Sequence, residues 1–230
     1  MHEPSAVPGA LTGSSTAPST VSSSAPLTGP LTGRVTEPAA RSELILGGQK
    51  SGKSRRAENL ATQWLAASSH HCAVLIATAQ PLDDEMRLRI ARHQADRAAR
   101  VPGLATVEEP LALAAALIQH SHPDTLVVID CLTLWLTNLL MPVQPQELKE
   151  NRNFVDITKA HSATFLVAIG KAPGPVVMVG NEIGWGVIPL GRETRAFVDA
   201  LGWLNQSVAQ ACQRVTLMAA GLPLVLKDEP

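Results

Sequence analysis

The chain carries almost no net charge: 19 Lys and Arg face 20 Asp and Glu, for a formal charge of -1. Affinity for a nucleic-acid backbone rests on a basic surface, so a dedicated nucleic-acid binder is excluded and small molecules are the expected partners. Cysteine is scarce as well. Cys72, Cys131 and Cys212 lie far apart, each in an apolar run, which fits buried thiols in a reducing compartment and excludes a metal site built on cysteine spacing. No stretch is long and apolar enough to span a bilayer. The N-terminal region has neither the basic start nor the continuous apolar run of a secretory signal, and a cytoplasmic location is expected. Residues 1–41 are poor in large apolar residues and rich in Ser, Thr, Pro, Ala and Gly, with Leu-Thr-Gly recurring at 11, 27 and 31. Such a segment cannot bury enough surface to offset its ordering entropy, so it reads as a disordered tail ahead of one catalytic domain over 42–230.

What the chain does hold is a phosphate-binding loop. Residues 44–54 read Leu-Ile-Leu-Gly-Gly-Gln-Lys-Ser-Gly-Lys-Ser, in which Gly47, Gly52, Lys53 and Ser54 complete the pattern GxxxxGK[ST]. Glycines let consecutive backbone N–H groups converge on phosphate oxygens without a Cβ in the way. Lys53 is expected against the β and γ phosphates, and Ser54 offers a hydroxyl to Mg²⁺. The helix that follows turns its positive dipole end toward the same anion. The pattern arises by chance in roughly 1% of chains of this length. Its setting lowers that further, because Leu44 to Leu46 precede it as a buried strand does, and the residues after it carry a helical apolar period.

Further strands are expected at 72–78, 125–131, 176–180 and 215–219, between helices at 53–67, 83–99, 109–120, 132–141, 153–171 and 192–212, with a loop at 142–150. This alternation implies an α/β fold with a mostly parallel sheet flanked by helices. Ligands gather at the carboxyl ends of strands in such sheets. Asp130 ends one strand, where it either organises Mg²⁺ or caps the next helix. Asn181 to Pro189 follow another; Gly184 and Gly186 around Trp185 permit a tight loop near a ligand, or a plain connection with Trp185 as core filler. On the helix at 83–99, begun by Asp83 and Asp84, residues Glu85, Arg89, His93 and Arg97 fall at four-residue steps on one face. Arginines on either side favour a neutral, nucleophilic His93 and could hold phosphate oxygens. The alternative is a solvated, salt-bridged helix with an incidental histidine.

Taken together, these segments resemble the bifunctional adenosylcobinamide kinase/adenosylcobinamide-phosphate guanylyltransferases of cobalamin biosynthesis. The resemblance covers 44–227. It rests on the loop at 47–54, Ala-Thr at 77–78, Asp-Asp-Glu-Met at 83–86 running into Arg-Ile-x-x-His at 89–93, and Thr-Val-Glu-Glu-Pro at 106–110. It continues in Asp-Cys-Leu-Thr at 130–133, Thr-Asn-Leu-Leu at 137–140, the segment 181–189, Leu-Asn-Gln at 204–206 and Gly-Leu-Pro-Leu at 221–224.

The resemblance implies a P-loop NTPase of RecA-like fold with GTP or ATP as co-substrate, Mg²⁺, and two steps. A γ-phosphoryl group passes to the side-chain hydroxyl of adenosylcobinamide. GMP from GTP then passes to that phosphate through a GMP-histidine intermediate, giving adenosylcobinamide-GDP. It makes His93 the nucleophile and Lys53 catalytic. The implied nucleotide contacts are Gly47, Gly48, Gln49, Lys50, Ser51, Gly52, Lys53, Ser54, Ala77, Thr78, Ala79, Gln94, Arg97, Glu108 and Asp130, with Ser54 and Asp130 on the metal and Arg89 a second phosphate clamp. A homo-oligomer is favoured. Some relatives have two adjacent histidines where this chain has Arg92-His93, Arg97-Ala98 replaces a more usual Arg-Pro, and 101–105 replaces a shorter stretch. The competing functions are a monofunctional P-loop kinase for another small alcohol and a GTP-binding switch protein.

Overall fold

The computed structural model describes residues 41–141 and 154–229. Runs such as Leu44-Ile45-Leu46 and Leu126-Val127-Val128-Ile129 are buried on both sides, which is what strands of a parallel sheet with helices on each face require. Seven strands form one sheet: β1 (Ser42–Gly47), β2 (Cys72–Ala77), β3 (Leu104–Glu108), β4 (Thr125–Asp130), β5 (Val176–Val179), β6 (Arg214–Ala219) and β7 (Leu222–Asp228). Their spatial order is β3-β2-β4-β5-β1-β6-β7, parallel throughout except for the β6–β7 hairpin. Ala220 and Gly221, at φ 51 and 81, make its two-residue turn.

The helices are α1 (Lys53–Ala67), α2 (Asp84–Arg100), α3 (Leu113–His120), α4 (Leu132–Leu140), α5 (Phe154–Lys171) and α6 (Arg192–Ala211). Ala57 and Ala61 of α1 pack with Ile45, Leu75, Val128 and Val179 on one face of the sheet. Leu117, Trp135, Phe165 and Leu204, from α3 to α6, pack with Leu44, Val127 and Ile129 on the other. The α2 helix differs from the rest, because Arg97 is its one buried side chain among those described.

The expected helices and the strands at 72, 125, 176 and 215 are present, and four corrections follow. The helix expected from 109 starts at Leu113: Pro110 interrupts it, and the Glu109 carboxylate accepts from Leu111 N at 2.9 Å and Ala112 N at 2.7 Å before the first turn. Residues 104–108 form an edge strand with little burial, and 222–228 form a second; neither stood out as a strand in the sequence. Cys72 is exposed, whereas Cys131 and Cys212 are buried free thiols as expected. Burial pushes those two thiols up to about 11 and about 12, so both stay protonated. The expected loop at 142–150 lies outside the described residues.

Candidate active site

The phosphate loop leaves the end of β1 and runs straight into α1. Gly47 has φ 149, and a Cβ there would stand 2.5 Å from Met218 O and 2.6 Å from Ser51 Oγ, so a side chain is excluded on both counts. Gly52 at φ 104 makes the left-handed step into α1. No side chain caps α1 and no acidic residue lies in its first turn, so its free N–H groups and dipole face an incoming anion without internal competition. Gly221 N donates to Ser51 O at 3.0 Å, bracing the loop against the β6–β7 turn.

Lys53 is 7% exposed, and its Nζ reaches back across the loop to donate to Gly48 O at 2.6 Å. Burial lowers the pKa of this ammonium; the nearby Cys131 and Asp130 oppose that shift. Ser54 follows, half-buried, and Asp130 ends β4, also half-buried. A hydroxyl and a carboxylate are the oxygen donors Mg²⁺ takes, and that ion fills its remaining positions with water and phosphate oxygens. No group of three or more His, Cys, Asp or Glu able to hold a metal gathers among the described residues.

Ala77 ends β2 beside Asp130 of β4, and Thr78 and Ala79 follow it. Thr78 is fully buried; its hydroxyl donates to Cys131 O at 2.7 Å and accepts from Cys131 N at 2.9 Å, and its N–H donates to Asp130 O at 3.2 Å. Its side chain is thus committed to fixing the strand end that carries Asp130. Asn138 of α4, 9% exposed, donates to Thr78 O at 2.8 Å and to Pro110 O at 3.1 Å. The sequence flagged Asn138 only as part of a motif; its partners lie 60 and 28 residues away, where no local pattern shows them.

His93 is exposed on α2, whose first turn Asp83 caps by accepting from Met86 N at 2.7 Å. Next to it, Gln94 Nε2 donates to Glu108 Oε1 at 3.0 Å, linking α2 to the end of β3. Arg97 turns the other way. It is 9% exposed, its Nε has no hydrogen-bond partner among the described residues, and it lies within electrostatic range of Glu58 on α1, which pairs with Arg100 at 3.0 Å. The side chain of Arg89 is outside the described part. The candidate residues therefore fall into two groups along one sheet edge rather than one cluster. Four strand spacings separate β1 from β3, about 19 Å at the usual interstrand distance.

The segment after β5 belongs to the group at the phosphate loop. Glu182 N donates to Gly47 O at 3.1 Å, and the Glu182 carboxylate accepts from Gly184 N at 2.8 Å. Trp185 is 77% exposed, which removes the core-filler reading. It borders a groove of about 820 Å³ that Glu182, Asn205, Gln206 and Leu226 also line.

Residues 43–226 match the family model described as CobU, cobinamide kinase / cobinamide phosphate guanyltransferase. The chain is 47% identical over 188 residues to the bifunctional adenosylcobalamin biosynthesis protein CobP of Pseudomonas aeruginosa, covering 82% of this chain and 98% of that protein. It is 34% identical over 187 residues to the bifunctional adenosylcobalamin biosynthesis protein CobU of Escherichia coli, covering 80% and 98% respectively. Among solved structures, flagellar accessory protein FlaH of Methanocaldococcus jannaschii aligns with a TM-score of 0.43 and 11% identity over 83% of this chain and 80% of that one, too loosely to bear on function.

Proposed function

The chain belongs to the cobinamide kinase / cobinamide phosphate guanyltransferase family, and we propose that it performs both reactions in cobalamin nucleotide-loop assembly, first phosphorylating adenosylcobinamide and then transferring GMP to the phosphate. The observation that carries this reading is a complete, uncapped phosphate loop sharing a sheet edge with an exposed histidine on a separate helix. A P-loop kinase for some other alcohol has no use for the second feature.

In the kinase step the loop N–H groups from Gly48 to Ser54 and the Lys53 ammonium bind the β and γ phosphates of GTP or ATP. A phosphate oxygen takes the place that Gly48 O occupies on Lys53 Nζ. Ser54 and Asp130 would hold Mg²⁺, which supplies charge neutralisation at the transferred phosphoryl group. In the second step the His93 imidazole attacks the α phosphorus of GTP, pyrophosphate leaves, and the phosphate of adenosylcobinamide phosphate displaces the histidine. A neutral imidazole attacks without first losing a proton from its reacting nitrogen and later leaves readily. Gln94 and Glu108, joined at 3.0 Å at the end of β3, are the groups this reading gives to the guanosine, while Arg97 steadies α2 through Glu58.

The reading includes a homo-oligomer and a cytoplasmic setting. The edge strand β7 exposes Leu222 at 71% and Leu224 at 57%, an apolar edge that no other strand among the described residues pairs, of the kind a second copy covers. No helix among the described residues is long and apolar enough to cross a membrane. The direct test supplies adenosylcobinamide, GTP and Mg²⁺. Adenosylcobinamide-GDP with release of pyrophosphate is expected; a phosphorylated product with no pyrophosphate would leave only the kinase half.

A further inference from the structure

We propose that Glu182 accepts the proton of the acceptor hydroxyl in the phosphoryl-transfer step, an assignment that rests on the kinase activity proposed above. The strand before it, β5, lies between β1, which delivers the phosphate loop, and β4, which delivers Asp130. Gly180 N donates to Ile45 O at 2.9 Å and Glu182 N to Gly47 O at 3.1 Å. The parallel ladder thus runs on past β5 and sets Glu182 level with the first glycine of the loop. The backbone beneath is pinned from two helices: Asn181 N donates to Thr133 Oγ1 at 2.9 Å, and Asn205 Nδ2 to Asn181 O at 3.0 Å. Glu182 is half-buried, and its carboxylate accepts only from Gly184 N among the described residues. It also lines the groove bordered by Trp185, while its backbone bonds to Gly47 at the start of the phosphate loop, so it links a surface able to seat a large acceptor to that loop.

Other carboxylates near the loop are committed elsewhere. Glu58 is buried and paired with Arg100. Glu43, at the opposite end of β1, accepts from Arg56 and Thr216. Asp130 is assigned to the cation. Lys53, an ammonium, has no lone pair to offer. In the step itself the acceptor oxygen bonds to the γ phosphorus and the bond from phosphorus to the β–γ bridging oxygen breaks. The nucleoside diphosphate leaves with that electron pair, and the hydroxyl proton passes to the Glu182 carboxylate and from there to water.

The experiment compares the full chain with its Glu182→Gln and Glu182→Asp variants in two separate half-reactions: phosphorylation of adenosylcobinamide, and GMP transfer to preformed adenosylcobinamide phosphate. General-base catalysis contributes about 10²–10⁴-fold. The kinase kcat of Glu182→Gln is therefore expected to fall about 100-fold with KM for adenosylcobinamide little changed, while GMP transfer falls far less. Glu182→Asp keeps a carboxylate and is expected to recover a large part of the lost rate. A raised KM at unchanged kcat, equal losses in both half-reactions, or an Asp variant as slow as the Gln variant would overturn the proposal. If Glu182→Gln does not fold, Glu182→Ala carries the same comparison. An active wild type beside a fully active Gln variant overturns this inference alone; a wild type without kinase turnover overturns it together with the reading it rests on.

Discussion

Lys53 is nearly buried, yet its ammonium donates to a carbonyl, Gly48 O, at 2.6 Å. Burial of a charge against a neutral acceptor leaves a site that gains when phosphate oxygens arrive. Replacing it, as in Lys53→Met, is expected to cut the kinase rate about 100-fold or more in a steady-state assay, without loss of folding. The pH dependence has a definite sign. The folded ammonium has its pKa lowered by burial from 10.5, so between the lowered value and 10.5 the unfolded chain holds more protons, and the free protein gains stability from this residue as pH rises. A bound triphosphate favours the charged form, so its affinity falls as pH rises through that window. Titration of a non-hydrolysable GTP analogue up to pH 10.5 is expected to show the fall in the wild type and a flatter profile in Lys53→Met. Gly47→Ala is expected to abolish triphosphate binding, since its Cβ would meet Met218 O at 2.5 Å. The phosphate loop with Lys53 and Ser54 shows in local spacing and Asp130 as an acid at a strand end, whereas spacing alone left His93 open and only the family resemblance singled it out. Met218, Asn138 and the ladder under Glu182 were not legible, because their partners come from segments 28 to 171 residues away.

Helix α2 presents most of its side chains to solvent and meets α1 through charge. Glu58 is buried, which raises its pKa, while Arg100, then Arg97 and Arg55, oppose the shift. Removing one partner of a buried pair costs about 3–5 kcal/mol; Arg100 is 35% exposed, so Glu58→Ala is expected to cost about 2 kcal/mol. Hydrogen exchange should accelerate over 84–100 more than in the sheet, and uniform acceleration would argue against local docking. At α4, Asn138→Ala leaves two carbonyls without donors, at about 1 kcal/mol each. The expected fall in Tm is about 4–8 °C for a chain of this size. The sequence disclosed α2 by its Asp83 cap and period, and α4 by its apolar run. It hid β3 and β7 because edge strands bury little and carry weak alternation, and β7 includes Pro223.

Across the whole molecule, the parallel sheet gathers the ends of β1, β2, β3, β4 and β5 along one edge, and in the proposed mechanism the two reactions divide that edge between them. The phosphate loop, Asp130 and Glu182 occupy the β1–β5–β4 stretch, and His93, Gln94 and Glu108 the β2–β3 stretch. Residues 1–40 are poor in large apolar residues, and the family match begins at residue 43. Removal of residues 1–40 is therefore expected to leave Tm and both rates close to those of the full chain; a large loss in either would assign the tail a part in the fold or the reaction. In the proposed mechanism His93 carries GMP between GTP and the corrinoid phosphate. Incubation with GTP labelled at the α phosphate tests it most directly. An acid-labile label on the wild-type protein, absent from His93→Ala and discharged by adenosylcobinamide phosphate, is the predicted result. A wild type that stays unlabelled, or a His93→Ala protein that labels equally, would rule out that role for His93.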